Sequence, residues 1–336
     1  MAIERVVSGM RPTGSLHLGH YNGVLKNWVD LQHELECLFF VADWHALTTH
    51  YDAPEIIEKN VTSMVIDWLA AGVDPANATI FVQSKVPEHA ELHTLLSMIT
   101  PLSWLERVPT YKDQQEKLSS KDLSTYGFLG YPLLQSADIL IYRADYVPIG
   151  KDQVQHLELT RNIAQRFNNQ MGKEYFVMPE PLFTEVPKVQ STADPSRKMS
   201  KSAGEKHFIN VFGEEARIRK QIKSAVTDTG EAKEGEMSAG VQNLFSLLKA
   251  SGRIDAHTSL MDDYNSGALK YSDLKESVAE GLVAISKEFK ARKAEIVSDR
   301  KQIKNKIKQS SFEIRKTAQQ TVKDVKELAG LSNVRF

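Results

Sequence analysis

The sequence of 336 residues contains one cysteine, Cys37, so neither a disulfide framework nor a cysteine-ligated zinc or iron–sulfur site is available. It has no run of about 18 apolar residues, and Met1 to Met10 lack the basic and apolar regions of a signal peptide. It also lacks a Walker-type phosphate loop, which disfavours ATPases of that kind. We therefore expect a cytoplasmic protein without a membrane segment, in which Cys37 is buried and inert.

The chain contains 42 basic and 43 acidic residues, so neither sign of charge predominates. Apolar residues make up 41% and charged residues 25%, as in an ordinary globular protein, and the length favours two domains. The stretch from Lys287 to Lys326 is locally basic, with about 13 basic and about 5 acidic residues. Such a stretch either follows a phosphate backbone or forms a solvated helical face.

Short β-like runs alternate with helical patterns as far as about Phe167, which predicts a parallel sheet with crossover helices. The predicted strands are Arg5 to Ser8, Leu38 to Ala42 and Thr79 to Gln83, and the predicted helices are Pro54 to Gly72, Tyr131 to Tyr142 and Asp152 to Phe167.

From Gly213 onward the spacing of apolar residues is helical, and Asp228 to Gly240 is interpreted as an exposed loop. The fold class is therefore α/β, with a parallel sheet in the first part of the chain and helices in the second.

His89 and His93 lie four residues apart on one predicted helix face, a spacing found in metal sites. A zinc site needs a third protein ligand, and the metalloprotease order His-Glu-x-x-His is also missing. We therefore predict no metal site at this pair.

The segment from Arg11 to His20 follows the first predicted strand and opens a helix, which is the phosphate position of an α/β fold. Gly14 and Gly19 let the backbone approach a nucleotide closely, while His17 and His20 point toward one anion. In isolation, the segment would also be compatible with two solvated histidines in a turn.

A second segment, Arg197-Lys198-Met199-Ser200-Lys201-Ser202, lies at the junction of the two predicted domains. The first segment has the form of the HIGH motif and the second is an unbroken KMSKS motif. Together they resemble the signature of class I aminoacyl-tRNA synthetases.

Within that class, the chain is similar to the bacterial tryptophanyl-tRNA synthetases from about Val6 to at least Asp228. The closer match is carried by Phe40 to Ala46, Tyr131 to Leu140 and Gly150 to Arg161. That family commonly has methionine where this chain has Gln135, and a glutamine there is also similar to tyrosyl-tRNA synthetases. The alternatives are a tyrosine–tRNA ligase and a non-catalytic RNA-binding paralogue.

The resemblance implies that tryptophan is activated with ATP to tryptophanyl-adenylate and pyrophosphate, and is then transferred to the 3′ end of tRNA(Trp). It also implies a Rossmann-like nucleotide-binding domain over residues 1–203 and an all-helical domain over residues 204–336 that binds the anticodon. Mg²⁺ on the ATP phosphates and a homodimer are implied as well. The implied catalytic residues are His17, His20, Lys198 and Lys201. The implied ATP-binding residues are Arg11, Thr13, Gly14, Gly19, His20, Gly150, Asp152, Lys198, Met199, Ser200, Lys201 and Ser202.

Asp138 follows Tyr131 by seven residues, so both side chains return to one helix face. The apolar neighbours of Asp138 predict burial, and a buried carboxylate needs a partner, whereas the alternative is a helix-surface residue. We predict that Asp138 accepts the indole N–H, which would favour tryptophan over phenylalanine. Resemblance assigns the amino group to Tyr131 and Gln153, and the other predicted substrate-binding residues are Val7, His45 at the pocket rim and Gln135.

Overall fold

The computed structural model describes residues 3–14, 16–108, 123–150, 153–183, 189–200, 203–228 and 236–331. Five parallel strands form one sheet in the order β3-β2-β1-β4-β5. The strands are β1 (Arg5–Met10), β2 (Glu36–Val41), β3 (Ala78–Val82), β4 (Tyr146–Ile149) and β5 (Glu180–Phe183).

The chain runs outward from β1 to β3 and then returns to the other side of β1 with β4. Ligands of open α/β sheets bind at the carboxyl ends of the strands where the order reverses. The reversal lies here between β1 and β4, so the crevice beyond these two strands is the expected binding site.

The helices of the first half cover both faces of the sheet. They are α1 (Leu18–His20), a π-helical turn (Tyr21–Leu25), α2 (Lys26–Leu31), α3 (Asp43–His50), α4 (Pro54–Ala70), α5 (Glu88–Ser97), α6 (Leu102–Glu106), α7 (Tyr126–Leu129), α8 (Tyr131–Leu140) and α9 (Val154–Met171). Later helices are α10 (Glu215–Lys223), α11 (Ala239–Ala250), α12 (Ile254–Asn265), α13 (Tyr271–Ser298) and α14 (Arg300–Leu328). No described helix combines the length and the apolar character that a membrane crossing requires.

The predicted α/β class and the later helical part are confirmed, and each predicted strand overlaps an observed one. The sequence interpretation missed β5, a four-residue strand at the edge of the sheet that contains Pro181 and has no fully buried residue. Proline is tolerated at such an edge, but it removes the usual signature of a strand.

The interpretation of Asp228 to Gly240 as an exposed loop is wrong at its end, while residues 229–235 lie outside the described part. Ser238 is buried and accepts a hydrogen bond from Val241 N as the N-cap of α11. A Cβ atom on Gly240 would lie 2.2 Å from Thr227 O, so only glycine permits this close approach.

Two apolar clusters lie on opposite faces of the sheet because neighbouring strand residues point to opposite sides. One cluster includes Val6, Phe39 and Trp28, whose ring stacks on Phe39 with centroids 4.2 Å apart. This cluster continues to Leu282 of α13, so the sheet and the later helices share one core. Cys37 is also buried in it, and burial raises the pKa of its thiol to about 12, as expected for an inert cysteine.

The long helix α14 lies along the edge strand β3. Val82 N donates a hydrogen bond to Ser311 Oγ at 3.3 Å, and Ser310 Oγ donates to Ile80 O. Farther along, Arg315 Nε lies 2.8 Å from Glu88 Oε1 on α5. The helix therefore covers backbone groups that an edge strand would otherwise leave open to another chain.

Candidate active site

The first motif lies where the fold predicts a binding crevice. β1 ends at Met10 and continues into the loop from Arg11 to Gly14, while β4 ends at Ile149 next to Gly150. Gly14 has a φ of 126°, a backbone conformation that favours glycine. Since β1 and β4 are neighbours, the first motif and the turn after β4 meet at the same edge of the sheet.

The two motif histidines lie against each other at the start of α1, where His17 is the N-cap residue. The rings of His17 and His20 are stacked with centroids 3.7 Å apart. A Cβ atom on Gly19 would lie 2.9 Å from His17 Cε1 and 3.7 Å from Met199 Cβ. Gly19 therefore lets the His17 ring and Met199 of the second motif approach this turn.

Backbone pairing holds the chain that follows the second motif against the first motif. Leu18 N donates to Ile209 O at 2.8 Å, and His17 forms an antiparallel bridge with Asn210. Met199 is buried, whereas the side chain of Lys198 is exposed. The structure thus brings the described part of the KMSKS segment next to the histidines, while Lys201 and Ser202 lie outside the described residues.

Asn243 of α11 anchors the chain just before the second motif. Its Oδ1 accepts a hydrogen bond from Gln190 N at 3.0 Å, and its Nδ2 donates to Gln190 O and Ser191 O. Asn243 was not among the predicted site residues, although a buried amide within the apolar pattern of α11 is a signal for such an anchor.

Arg11 and Tyr131 are neighbours across the crevice. The Arg11 guanidinium donates to Thr49 Oγ1 on α3. Burial lowers the pKa of Arg11, and the nearby Tyr131 raises it. A predicted ATP-binding residue and a predicted tryptophan-binding residue therefore lie on adjoining walls.

The turn after β4 is closed by a hydrogen bond from Gln153 N to Gly150 O at 2.9 Å. Gln153 is half-buried and is the N-cap residue of α9. Asp152 lies outside the described residues, so its predicted contact with ATP stays a prediction.

Asp138 is the centre of a buried hydrogen-bond network, and its burial is as predicted. Its Oδ1 accepts from His89 Nδ1 at 2.6 Å, and its Oδ2 contacts His45 Nε2 at 2.7 Å. Gln83 Nε2 donates to both oxygens, at 2.8 and 2.9 Å. Trp44 N donates to Gln83 Oε1, which fixes the orientation of that amide.

The network keeps Asp138 ionised. Burial would raise the pKa of this carboxyl, but hydrogen bonds from His45 and His89 outweigh burial and lower the pKa to about 2. The site therefore holds a negative charge at neutral pH.

Other predicted residues lie around this charge. Tyr131 and Gln135 are half-buried on the same helix as Asp138, and Val7 of β1 is buried in the apolar cluster that packs on α8. His45, predicted at the pocket rim, has a side chain that is 12% exposed.

Sequence reasoning did not assign Gln83 or His89 to the site. Gln83 carries a usable signal, because it is a polar residue directly after a buried strand. His89 donates a hydrogen bond to Asp138 Oδ1. No cluster of three or more potential metal-binding side chains occurs in the described part of the chain.

A parallel sheet that carries these two motifs at its point of reversal defines a class I aminoacyl-tRNA synthetase. The sequence matches the family "tRNA synthetases class I (W and Y)" over residues 3–287, and the chain belongs to that family.

The chain is also similar to individual tryptophan–tRNA ligases. A tryptophan–tRNA ligase of Ralstonia nicotianae is 75% identical over 171 residues, which span 51% of this chain and 43% of that protein. A tryptophan–tRNA ligase of Fusobacterium nucleatum subsp. nucleatum is 38% identical, covering 98% of each chain. The crystal structure of tryptophanyl-tRNA synthetase from Campylobacter jejuni, complexed with ADP and tryptophan, is similar with a TM-score of 0.81 and 33% identity, covering 97% of this chain and 100% of that chain.

Proposed function

We infer that the chain is a tryptophan–tRNA ligase, which forms tryptophanyl-adenylate and pyrophosphate from tryptophan and ATP and then transfers tryptophan to tRNA(Trp). The structural observation that carries the specificity is the buried, ionised Asp138 on the same helix as Tyr131 and Gln135. The relatives that cover nearly the whole chain bear the same activity in their names.

The activation step needs no protein nucleophile. The tryptophan carboxylate attacks the α-phosphorus of ATP and pyrophosphate leaves, so the protein holds the reactants in line and stabilises charge on the phosphate oxygens. His17 and His20, at the start of α1, are assigned as hydrogen-bond donors to the phosphates. Lys198 and Lys201 of the second motif are assigned to the leaving pyrophosphate, which is supported by the position of Met199 of that motif beside Gly19.

Magnesium is proposed to bind with ATP. The described residues contain no cluster of three or more potential metal-binding side chains. That fits an ion held mainly by substrate phosphates and water, as is usual for Mg²⁺. Bound in this way, the ion would neutralise phosphate charge.

Recognition of the substrate side chain is assigned to Asp138, which accepts the indole N–H. The amino group of tryptophan is assigned to Tyr131 and Gln153, and Gln135, His45 and Val7 shape the pocket around the ring. A buried acceptor discriminates strongly against a side chain that leaves it unpaired.

The function is tested by ATP–pyrophosphate exchange without tRNA, measured with each amino acid in turn. We expect tryptophan to support exchange and tyrosine to support little. Faster exchange with tyrosine would favour the tyrosine–tRNA ligase alternative, and no exchange with any amino acid would favour a non-catalytic RNA-binding paralogue.

Residues 204–336 are proposed to bind the tRNA anticodon, with the basic side chains of α14 contacting the phosphate backbone. Lys301, Lys304 and Lys308 are exposed. None of the three has a carboxylate of a described residue within 4.0 Å. These ammonium groups are therefore available to an external polyanion.

Replacing Lys301, Lys304 and Lys308 together by glutamine should weaken tRNA binding and flatten its salt dependence, because fewer counterions are released. The slope of log Kd against log salt measures this effect. The variant should retain ATP–pyrophosphate exchange in the absence of tRNA. An unchanged salt slope would mean that these lysines only form a solvated helix face.

A homodimer acting in the cytoplasm is also proposed. Leu47, Tyr51 and Tyr126 are exposed by 42, 44 and 68% and line one groove of about 410 Å³. A second copy of the chain would remove this apolar surface from water. Sedimentation equilibrium tests the proposal by whether the mass is about twice 37.8 kDa.

A further inference from the structure

The two oxygens of Asp138 lie in different surroundings. Oδ1 accepts hydrogen bonds from His89 and Gln83, and both residues are 0% exposed. Oδ2 accepts from Gln83 as well, and it contacts His45, whose side chain is 12% exposed. Only the Oδ2 side of the carboxylate therefore borders a residue that solvent reaches.

His89 is held at both ends of its ring. Its Nδ1 lies 2.6 Å from Asp138 Oδ1, and its Nε2 lies 2.7 Å from the hydroxyl oxygen of Tyr142. An ionised carboxylate accepts only, so Nδ1 carries a proton and donates it to Asp138 Oδ1, while Nε2 is hydrogen-bonded to the Tyr142 hydroxyl. Tyr142 is 0% exposed and packs edge-on against Phe81, so this chain of groups has little freedom to move.

The helix that carries His89 is fixed from outside as well. Glu88, the preceding residue on α5, contacts Arg315 of α14, and Glu91 contacts Lys326 of the same helix. The position of the His89 ring relative to Asp138 is therefore set by packed elements on both sides.

We propose that His89 is a positioning residue for tryptophan recognition, holding Asp138 through Oδ1 so that Oδ2 is the oxygen offered to the indole N–H. This inference rests on the proposed function, because it takes Asp138 as the acceptor. His45 is then the donor that occupies Oδ2 until the indole N–H takes its place.

Without the His89 donor, the carboxylate loses a hydrogen bond to Oδ1 and gains freedom to turn about its terminal bond. The substrate would then meet an acceptor of variable orientation. Such a change weakens binding of the side chain without altering the groups around the phosphates. It should therefore raise KM for tryptophan and leave kcat nearly unchanged.

The test compares His89→Leu, which removes the donor, with His89→Asn, whose Nδ2 occupies nearly the place of the histidine Nδ1. Thr94→Ala, on the exposed face of α5, is the matched control, because the Thr94 hydroxyl donates to Ala90 O of its own helix. Exchange kinetics are measured with tryptophan and with 3-benzothienylalanine, in which sulfur replaces the indole N–H.

For His89→Leu we expect KM for tryptophan to rise about tenfold or more and kcat to change by less than about threefold. KM for the benzothienyl analogue should change little, so the preference for tryptophan shrinks. His89→Asn should restore most of the preference, and Thr94→Ala should leave it unchanged.

Equal weakening of both substrates, or an unchanged preference in His89→Leu, would overturn the positioning role. If His89→Leu fails to fold, the comparison of His89→Asn with His89→Gln decides. The glutamine amide occupies nearly the place of the histidine Nε2 beside Tyr142 and leaves Oδ1 without this donor, so His89→Gln should lose the preference that His89→Asn keeps. Failure of the proposed function has a different signature, in which the unaltered protein itself shows no preference for tryptophan over the analogue.

Discussion

Replacing His20 by alanine should lower the rate of tryptophan activation by roughly a hundred-fold or more while leaving tryptophan affinity nearly unchanged. His20 is stacked on His17 beside the second motif, where the phosphates of ATP are proposed to lie. Its hydrogen bond strengthens as charge develops on the phosphate oxygens, so its loss is felt mainly in the transition state. Single-turnover formation of the adenylate measures the rate directly.

His33→Ala is the matched control for this prediction, because His33 is an exposed histidine outside the site. Its activation rate should equal that of the unaltered protein. We expect Lys201→Ala to behave as His20→Ala does. A loss of tryptophan affinity in His20→Ala as large as its loss of rate would contradict the assigned role.

Replacing Asp138 by asparagine should weaken tryptophan binding by roughly ten- to more than a hundred-fold, which corresponds to about 1.5 to 3 kcal/mol for a charge-assisted hydrogen bond. The substitution keeps the size of the side chain but removes the charge. It also turns an NH₂ group toward His45, Gln83 or His89, all of which now face acceptor oxygens. Calorimetry with tryptophan measures the loss.

The benzothienyl analogue separates recognition from folding in this variant. A fold defect would weaken both ligands equally, whereas a lost hydrogen bond should affect tryptophan more. Asp255→Asn, an exposed surface change, should stay within about 0.5 kcal/mol. If Asp138→Asn binds both ligands as the unaltered protein does, Asp138 is not the specificity residue.

The pKa of Asp138 also sets the sign of its pH effect. The pKa of Asp138 in the folded protein is about 2, which is below its ordinary value. The ionised carboxylate therefore contributes fully to stability above about pH 4. That contribution is lost as the pH falls through about 2. Tryptophan binding should accordingly show no titration of Asp138 near neutral pH.

Local signals explain why much of the fold and the two motifs were predictable from the sequence. Strands β1 to β3 are apolar runs bounded by turn residues, and the Arg11 to His20 segment follows the first of them directly. The burial of Asp138 was also predictable, because its neighbours in α8 are apolar.

The partners of Asp138 were not predictable in the same way. His45, Gln83 and His89 precede it by 93, 55 and 49 residues and come from three separate elements. Only the tertiary packing of α3, α5 and the turn after β3 around α8 brings them together. The anchoring of the second motif by Asn243 is likewise a contact over 53 residues.

The cover that α14 provides for β3 has a consequence for synthesis on the ribosome. Ser310 and Ser311 meet Ile80 and Val82 across about 230 positions of sequence. At about 5–20 residues per second, the strand is made roughly 10 to 50 s before the hydroxyl groups that close it. During that interval the backbone groups of β3 lack the cover of α14, so the nascent chain is open to pairing with a strand of another chain.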